Sequence, residues 1–230
     1  MSATEIKRVV VDSGISVFYR TACPENNSSA PTVLLLHGYP TSSHQYRNLI
    51  PILSKHYRVI APDLPGFGFT TVPAERDYTY TFASLATTIG AFLDALSIKS
   101  FTVYIFDYGA PVALRLALQR PEAITAIISQ NGNAYEDGLG AGWAPIRKYW
   151  ETGSVEDRFA CRVLAVVASL NKILCFPKRK FPSTKGQPLL SRILDEVASA
   201  TKSQPRRTPP NYILTRRSSS KEILVYLFTY

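Results

Sequence analysis

The stretch Phe101-Thr102-Val103-Tyr104-Ile105-Phe106-Asp107-Tyr108-Gly109 decides the fold. Phe101–Phe106 is a short run of apolar and β-prone residues, the pattern of a strand buried on both faces. An aspartate follows at once, a glycine stands two residues on, and Val112–Leu118 then repeats at helical spacing. Strand, tight turn and helix in that order lift the side chain at the turn above the sheet, over a helix N-terminus. The free amides and the helix dipole there favour a carboxylate or a developing oxyanion. Asp107 is therefore either the N-cap of a helix starting near Ala110 or a working carboxylate.

The pattern repeats outward from this point. Upstream, Thr32–Leu36 and Tyr57–Ala61 are two more short apolar runs. Ser42–His56 reads as a helix with Tyr46, Leu49, Ile50 and Leu53 on one face. Phe82, Leu85, Ala86, Ile89, Phe92, Leu93 and Leu96 predict a strong amphipathic helix. Downstream, Pro121 stops the helix and Ala123–Ser129 is a fourth buried strand. Residues 5–12 and 15–22 are β-rich around Asp12-Ser13-Gly14, so an antiparallel hairpin leads the chain. Strands alternating with helices predict an α/β fold with a mostly parallel sheet. Ligands in such sheets bind outside the carboxyl ends of the strands. Those ends read His37-Gly38-Tyr39-Pro40, then Asp63-Leu64-Pro65-Gly66-Phe67-Gly68, then Asp107-Tyr108-Gly109, then Asn131-Gly132-Asn133.

The ordered set LLLHGYPTSSHQYRNLIPIL, YRVIAPDLPGFGFT and YIFDYGAPVALRLAL resembles an α/β-hydrolase of the epoxide hydrolase and haloalkane dehalogenase branch. The resemblance covers roughly residues 5–150. It implies an aspartate nucleophile, Asp107, that attacks carbon and forms an alkyl-ester intermediate for water to hydrolyse. It implies an oxyanion hole from the backbone N–H groups of Tyr39 and Tyr108. His37, Gly38, Pro40 and Gly109 are then motif and positioning residues, and His37 is given no proton transfer. Epoxide opening in this family also takes acid donors from a helical cap. Tyr135 and Tyr149 are the residues available for that, or else ordinary packing aromatics, with Trp143 and Trp150 as apolar walls.

Three departures matter. Ile105 stands two before the nucleophile, where the family has a small residue, which predicts a tightened elbow. Tyr108 stands where dehalogenases carry tryptophan, which moves the reading toward epoxide hydrolysis. Asn131 is neutral where some dehalogenases hold the triad acid. The activity implied is hydrolysis through an alkyl ester on a small apolar organic substrate, with no cofactor and no metal. A haloalkane dehalogenase is the first alternative. A non-catalytic hydrolase-like binding protein, or a truncated isoform, is the second.

Composition bounds the rest. The 230 residues are 46% hydrophobic and 19% charged, an ordinary globular balance. The net charge of +9 suggests a nucleic-acid or anionic-surface partner. That charge is concentrated: residues 1–158 carry 13 basic and 14 acidic side chains, residues 159–230 carry 13 and 3. The basic residues of the tail are scattered, with no nucleic-acid motif. No apolar run reaches the roughly 18 residues of a membrane span, and the N-terminal residues lack the apolar h-region expected of a secretory signal. Cys23, Cys161 and Cys175 fit neither a complete disulfide set nor a zinc spacing, which predicts reduced thiols in a cytoplasmic protein.

The expected organisation is a hydrolase core at 1–133, the start of a helical cap at 134–158, and a basic divergent tail at 159–230, disordered or helical. After about Arg158 the family pattern stops, the C-terminal strands and much of the cap look missing or replaced, and no histidine follows His56. Without a triad histidine or acid, the second step is expected to be impaired. The tail reads as a frameshifted or mispredicted end, an alternative isoform, or a basic module. Asp195 lies in a helical pattern and is a poor triad acid. Ile223–Tyr230 has the composition of a strand that would expose an apolar end unless it found an edge.

Overall fold

Alternating apolar residues fold the first two segments against each other. Strand β1 (Glu5–Val11) pairs antiparallel with β2 (Ile15–Ala22), Val9 opposite Val17. Asp12, Ser13 and Gly14 take positive φ in the turn between them. The computed structural model describes residues 3–25, 27, 29–134 and 140–161, together with the backbone of the strands Ile213–Ser218 and Lys221–Phe228. The buried runs become β3 (Thr32–Leu36), β4 (Arg58–Pro62), β5 (Phe101–Phe106) and β6 (Ile124–Gln130). They match the sequence reading, with β4 and β6 displaced by one residue.

With β7 (Ile213–Ser218) and β8 (Lys221–Phe228) the sheet runs β1-β2-β4-β3-β5-β6-β8-β7. Strands β3, β4, β5, β6 and β8 are parallel, and the two hairpins close the sides antiparallel. Two strands, β7 and β8, thus stand in the tail where the family's C-terminal strands were expected to be missing or replaced. Ile128 stands opposite Tyr226, so β6 is not left as a bare edge. The physical reason lies in 221–228, whose Ile223–Phe228 run is strongly β-prone, against an edge of unpaired N–H and C=O groups. Its partner β7 was hidden in the sequence by Arg216-Arg217, which break the apolar pattern.

The helix expected over Ser42–His56 is also corrected. It divides into a 3-10 turn at Ser43–Tyr46 and a short α1 (Ile50–Leu53). Pro51 is the cause: it lacks the N–H and clashes with the carbonyl four residues earlier, so it opens a helix rather than sitting inside one. The buried face survives, since Tyr46, Leu49, Ile50 and Leu53 are all buried. Helix α2 (Phe82–Ala95) starts on Thr81, whose hydroxyl accepts from the Ser84 N–H. Helix α3 (Gly109–Gln119) follows the elbow, and α4 (Ala144–Thr152) ends on Gly153 in the left-handed region.

The strands alternate between two layers. Leu34, Leu36, Val103 and Ile105 meet Leu85, Ile89, Phe92, Val112 and Leu116 of α2 and α3. Val33, Leu35, Val59 and Tyr104 meet Tyr46, Leu49, Ile50 and Leu53 on the other side. Each fully buried side chain of this size contributes about 1.5–3 kcal/mol. Ile105 is buried in the first layer, and β5 pairs regularly through it with Leu36 and Ser129. The strand is therefore regular from Ile105 up to the elbow.

Candidate functional site

Four loops leave the carboxyl ends of β3, β4, β5 and β6, and the first three meet. Asp107 follows the last residue of β5 and takes φ of 51°, the left-handed region that a non-glycine residue avoids. Two close approaches explain why glycines flank it. A Cβ on Gly109 would lie 2.3 Å from the Leu36 carbonyl oxygen, so only glycine lets α3 start this near β3. A Cβ on Gly38 would lie 2.4 Å from Asp107 Cβ, so only glycine lets the β3 loop reach the carboxylate.

The carboxylate uses that proximity. Asp107 Oδ1 accepts from the Tyr39 N–H at 2.9 Å and from its neighbour's Tyr108 N–H at 2.8 Å. It does not cap α3, which begins without a side-chain cap. Among the described residues Oδ2 has no hydrogen bond, and no cation pairs with the carboxylate. Two convergent amides thus fix one oxygen. The same pair of N–H groups can hold the carbonyl oxygen of an ester once one forms.

His37 is fully buried. Its Nε2 accepts from the Leu64 N–H at 3.0 Å, so the proton sits on Nδ1, which donates to the Gly38 carbonyl at 3.0 Å. Burial holds its pKa below the ordinary 6.5, against the raising effects of the Gly38 bond and of Asp63 and Asp107. A neutral ring with both nitrogens occupied is a latch between two loops and has no lone pair free for a base. His44 and His56 are exposed, on the 3-10 turn and after α1. The motif positions His37, Gly38, the cis Tyr39–Pro40 bond and Gly109 all fall at the strand ends.

Sequence reasoning missed two features here. Asp63 is fully buried and accepts from the Ser43 N–H at 2.7 Å and the Phe69 N–H at 2.8 Å, which shapes the second loop. That loop then delivers Phe67, whose ring lies 5.3 Å from His37, 6.3 Å from Tyr39 and 6.4 Å from Tyr108. Tyr39 and Tyr108 stand 5.6 Å apart, and Phe82 of α2 touches Tyr108 at 5.0 Å. The Pro-Gly-Phe-Gly run was the available signal for Phe67; nothing in the sequence pointed to Phe82. Burial chiefly, then the charges of Asp107, Tyr39 and Cys161, raises the Tyr108 pKa and keeps its phenol protonated.

Of the two cap tyrosines, only Tyr149 falls among the described residues. Tyr149 is half-buried on α4, with no hydrogen bond or ring contact to Asp107, Tyr39 or Tyr108. Tyr135 lies outside the described residues, as do Asp195 and the basic clusters at 178–180 and 206–207. Trp143 and Trp150 pack on each other at 6.2 Å, and Trp150 stays exposed. Among the described residues no group of His, Cys, Asp and Glu could hold a metal ion, and no helix is long and apolar enough to cross a membrane.

Comparison with known proteins places the fold. A model of the α/β hydrolase fold matches residues 31–174, past Arg158 where the sequence pattern was read as ending. An uncharacterized hydrolase of Saccharomyces cerevisiae is 47% identical over 169 residues, 73% of this chain and 57% of its own length. A haloalkane dehalogenase of Mesorhizobium japonicum is 43% identical over 103 residues, 45% of this chain and 32% of its own. The crystal structure of haloalkane dehalogenase DbeA from Bradyrhizobium elkani matches with a TM-score of 0.51 and 32% identity, over 56% of this chain and 42% of that one. The chain spans about half the length, or less, of these relatives. From the strand order, the elbow and the family match, the chain belongs to the α/β hydrolase fold family.

Proposed function

We propose that this chain is an epoxide hydrolase-like hydrolase whose nucleophile is Asp107, acting on small apolar electrophiles. The observation that carries the reading is the carboxylate held by two amides at positive φ, with Oδ2 unpartnered among the described residues. Oδ2 attacks carbon, the ring C–O bond breaks toward oxygen, and that oxygen takes a proton from water. The ester carbonyl then rests on the Tyr39 and Tyr108 N–H groups. Residues 1–133 supply this machinery and 134–158 begin the cap, where Tyr149 and Tyr135 are the proton donors to test. The unpaired Cys23 and Cys161 accord with a reducing, cytoplasmic setting.

The second step lacks its usual base. The chain has three histidines; His37 is a latch and the other two are exposed. A positioned base contributes roughly 10²–10⁴-fold in rate, so hydrolysis of the ester is slow and the alkylated protein accumulates. Intact-mass spectrometry after incubation with a reactive epoxide tests this. One adduct is expected, absent in Asp107→Asn; rapid turnover without an adduct would contradict it. The dehalogenase alternative is favoured by the named relatives. It uses the same attack with halide leaving, and halide release from a haloalkane distinguishes it.

A further inference from the structure

We infer that the electrophile this site takes best carries a positive charge, specifically a quaternary ammonium group beside the reacting carbon. The inference rests on Asp107 being the nucleophile. Two independent features lead to it. The first is charge: Asp107 is an anion with no cation paired to it among the described residues, and the histidine nearest to it is neutral. The second is the aromatic cluster formed by the two residues whose N–H groups hold Asp107, with Phe67. Tyr39, Phe67 and Tyr108 are in mutual contact, with Phe67 at 83° to both tyrosines. All three are partly exposed, Tyr39 by 38%.

Aromatic faces carry negative potential and attract cations, most strongly when the cation sheds water easily, as a trimethylammonium does. The molecule already uses this attraction at the margin of the cluster, where the Arg115 guanidinium lies 5.9 Å over the Phe82 ring. A carboxylate electrophile would meet the like charge of Asp107 and be repelled. A neutral alkyl group would gain only burial. The ammonium group gains from both the rings and the carboxylate it is about to alkylate. The step itself is balanced: Oδ2 bonds to the terminal epoxide carbon, the ring C–O bond breaks, and the alkoxide is protonated by solvent water.

Glycidyltrimethylammonium and its neutral isostere 1,2-epoxy-4,4-dimethylpentane are the probes. Initial adduct formation on the full chain is followed by intact mass at constant ionic strength. Each rate is divided by that of free acetate with the same epoxide, which removes intrinsic reactivity. The cationic epoxide is expected to be faster by about tenfold after this correction, with the advantage shrinking as salt rises. Phe67→Leu should bring the corrected ratio toward one, whatever it does to the absolute rates. Tyr39→Leu is the second variant, since it keeps the backbone N–H and removes a partly exposed ring. Adducts with a corrected ratio near one would overturn this inference alone, as would an unchanged ratio in both variants. No adduct with either epoxide would overturn the nucleophile reading instead.

Discussion

The floor of the site and its cap are held together in opposite ways. In the floor, the bonds that matter join distant parts of the chain: Tyr39 to Asp107, Leu64 to His37, Ser43 to Asp63. Within 144–158, the polar contacts of Asp157 are local. Asp157 accepts from Thr152 at 2.7 Å and Ser154 at 2.9 Å and pairs with Lys148 at 3.0 Å, all near it in sequence. Trp150 and Val155 of this segment are exposed, whereas the floor rests on two buried layers. Long-range bonds form only when the whole sheet folds, so the floor's geometry is fixed cooperatively. The segment 140–161 makes none of these long-range bonds among the described residues, so it can vary with less effect on the floor.

Breaking the floor should therefore cost far more than altering the cap. Gly109→Ala forces a Cβ onto a backbone carbonyl, and overpacking of this kind costs about 1–3 kcal/mol. Chemical denaturation should show that loss, and adduct formation should fall with it. Gly142→Ala, where a Cβ would meet nothing within 4 Å, should stay within about 0.5 kcal/mol. Equal losses in the two variants would break the comparison.

The His37 latch gives the next largest effect. His37→Leu leaves the Leu64 N–H buried without an acceptor, at about 1–3 kcal/mol. The pH dependence follows in sign. The folded chain holds His37 neutral below its ordinary 6.5, so it binds fewer protons than the unfolded chain there. This share of stability is present above 6.5 and is lost as pH falls toward the lowered folded value. A melting profile of wild type against His37→Leu over that range should converge on the acid side. The smallest effect belongs to the Asp94–Arg120 pair joining α2 and α3 at 2.5 and 2.6 Å. Asp94 is exposed and Arg120 partly so, and Arg120→Ala should cost no more than about 1 kcal/mol.

Much of the floor was legible because its signals are local. Short apolar runs ending in Asp107, His37 or Asp63 placed β3 to β6 and three of the loops to within a residue. What escaped depends on tertiary contact. Pro51 divides a stretch whose apolar spacing still looks helical. Phe67 and Phe82 join Tyr39 and Tyr108 only through folding, and the tautomer of His37 follows from a bond to Leu64. Strand β7 escaped because Arg216 and Arg217 interrupt its pattern, and β8 was visible without the edge it pairs with.

The central claim is that Asp107 alone is alkylated and that the ester then persists. Peptide mapping after a timed reaction with excess epoxide tests it most directly. The account predicts a burst of one equivalent, located on the peptide containing Asp107 and followed by slow decay. Steady multiple turnover without a burst, or modification found on Cys23 or Cys161 with Asp107 untouched, would contradict it.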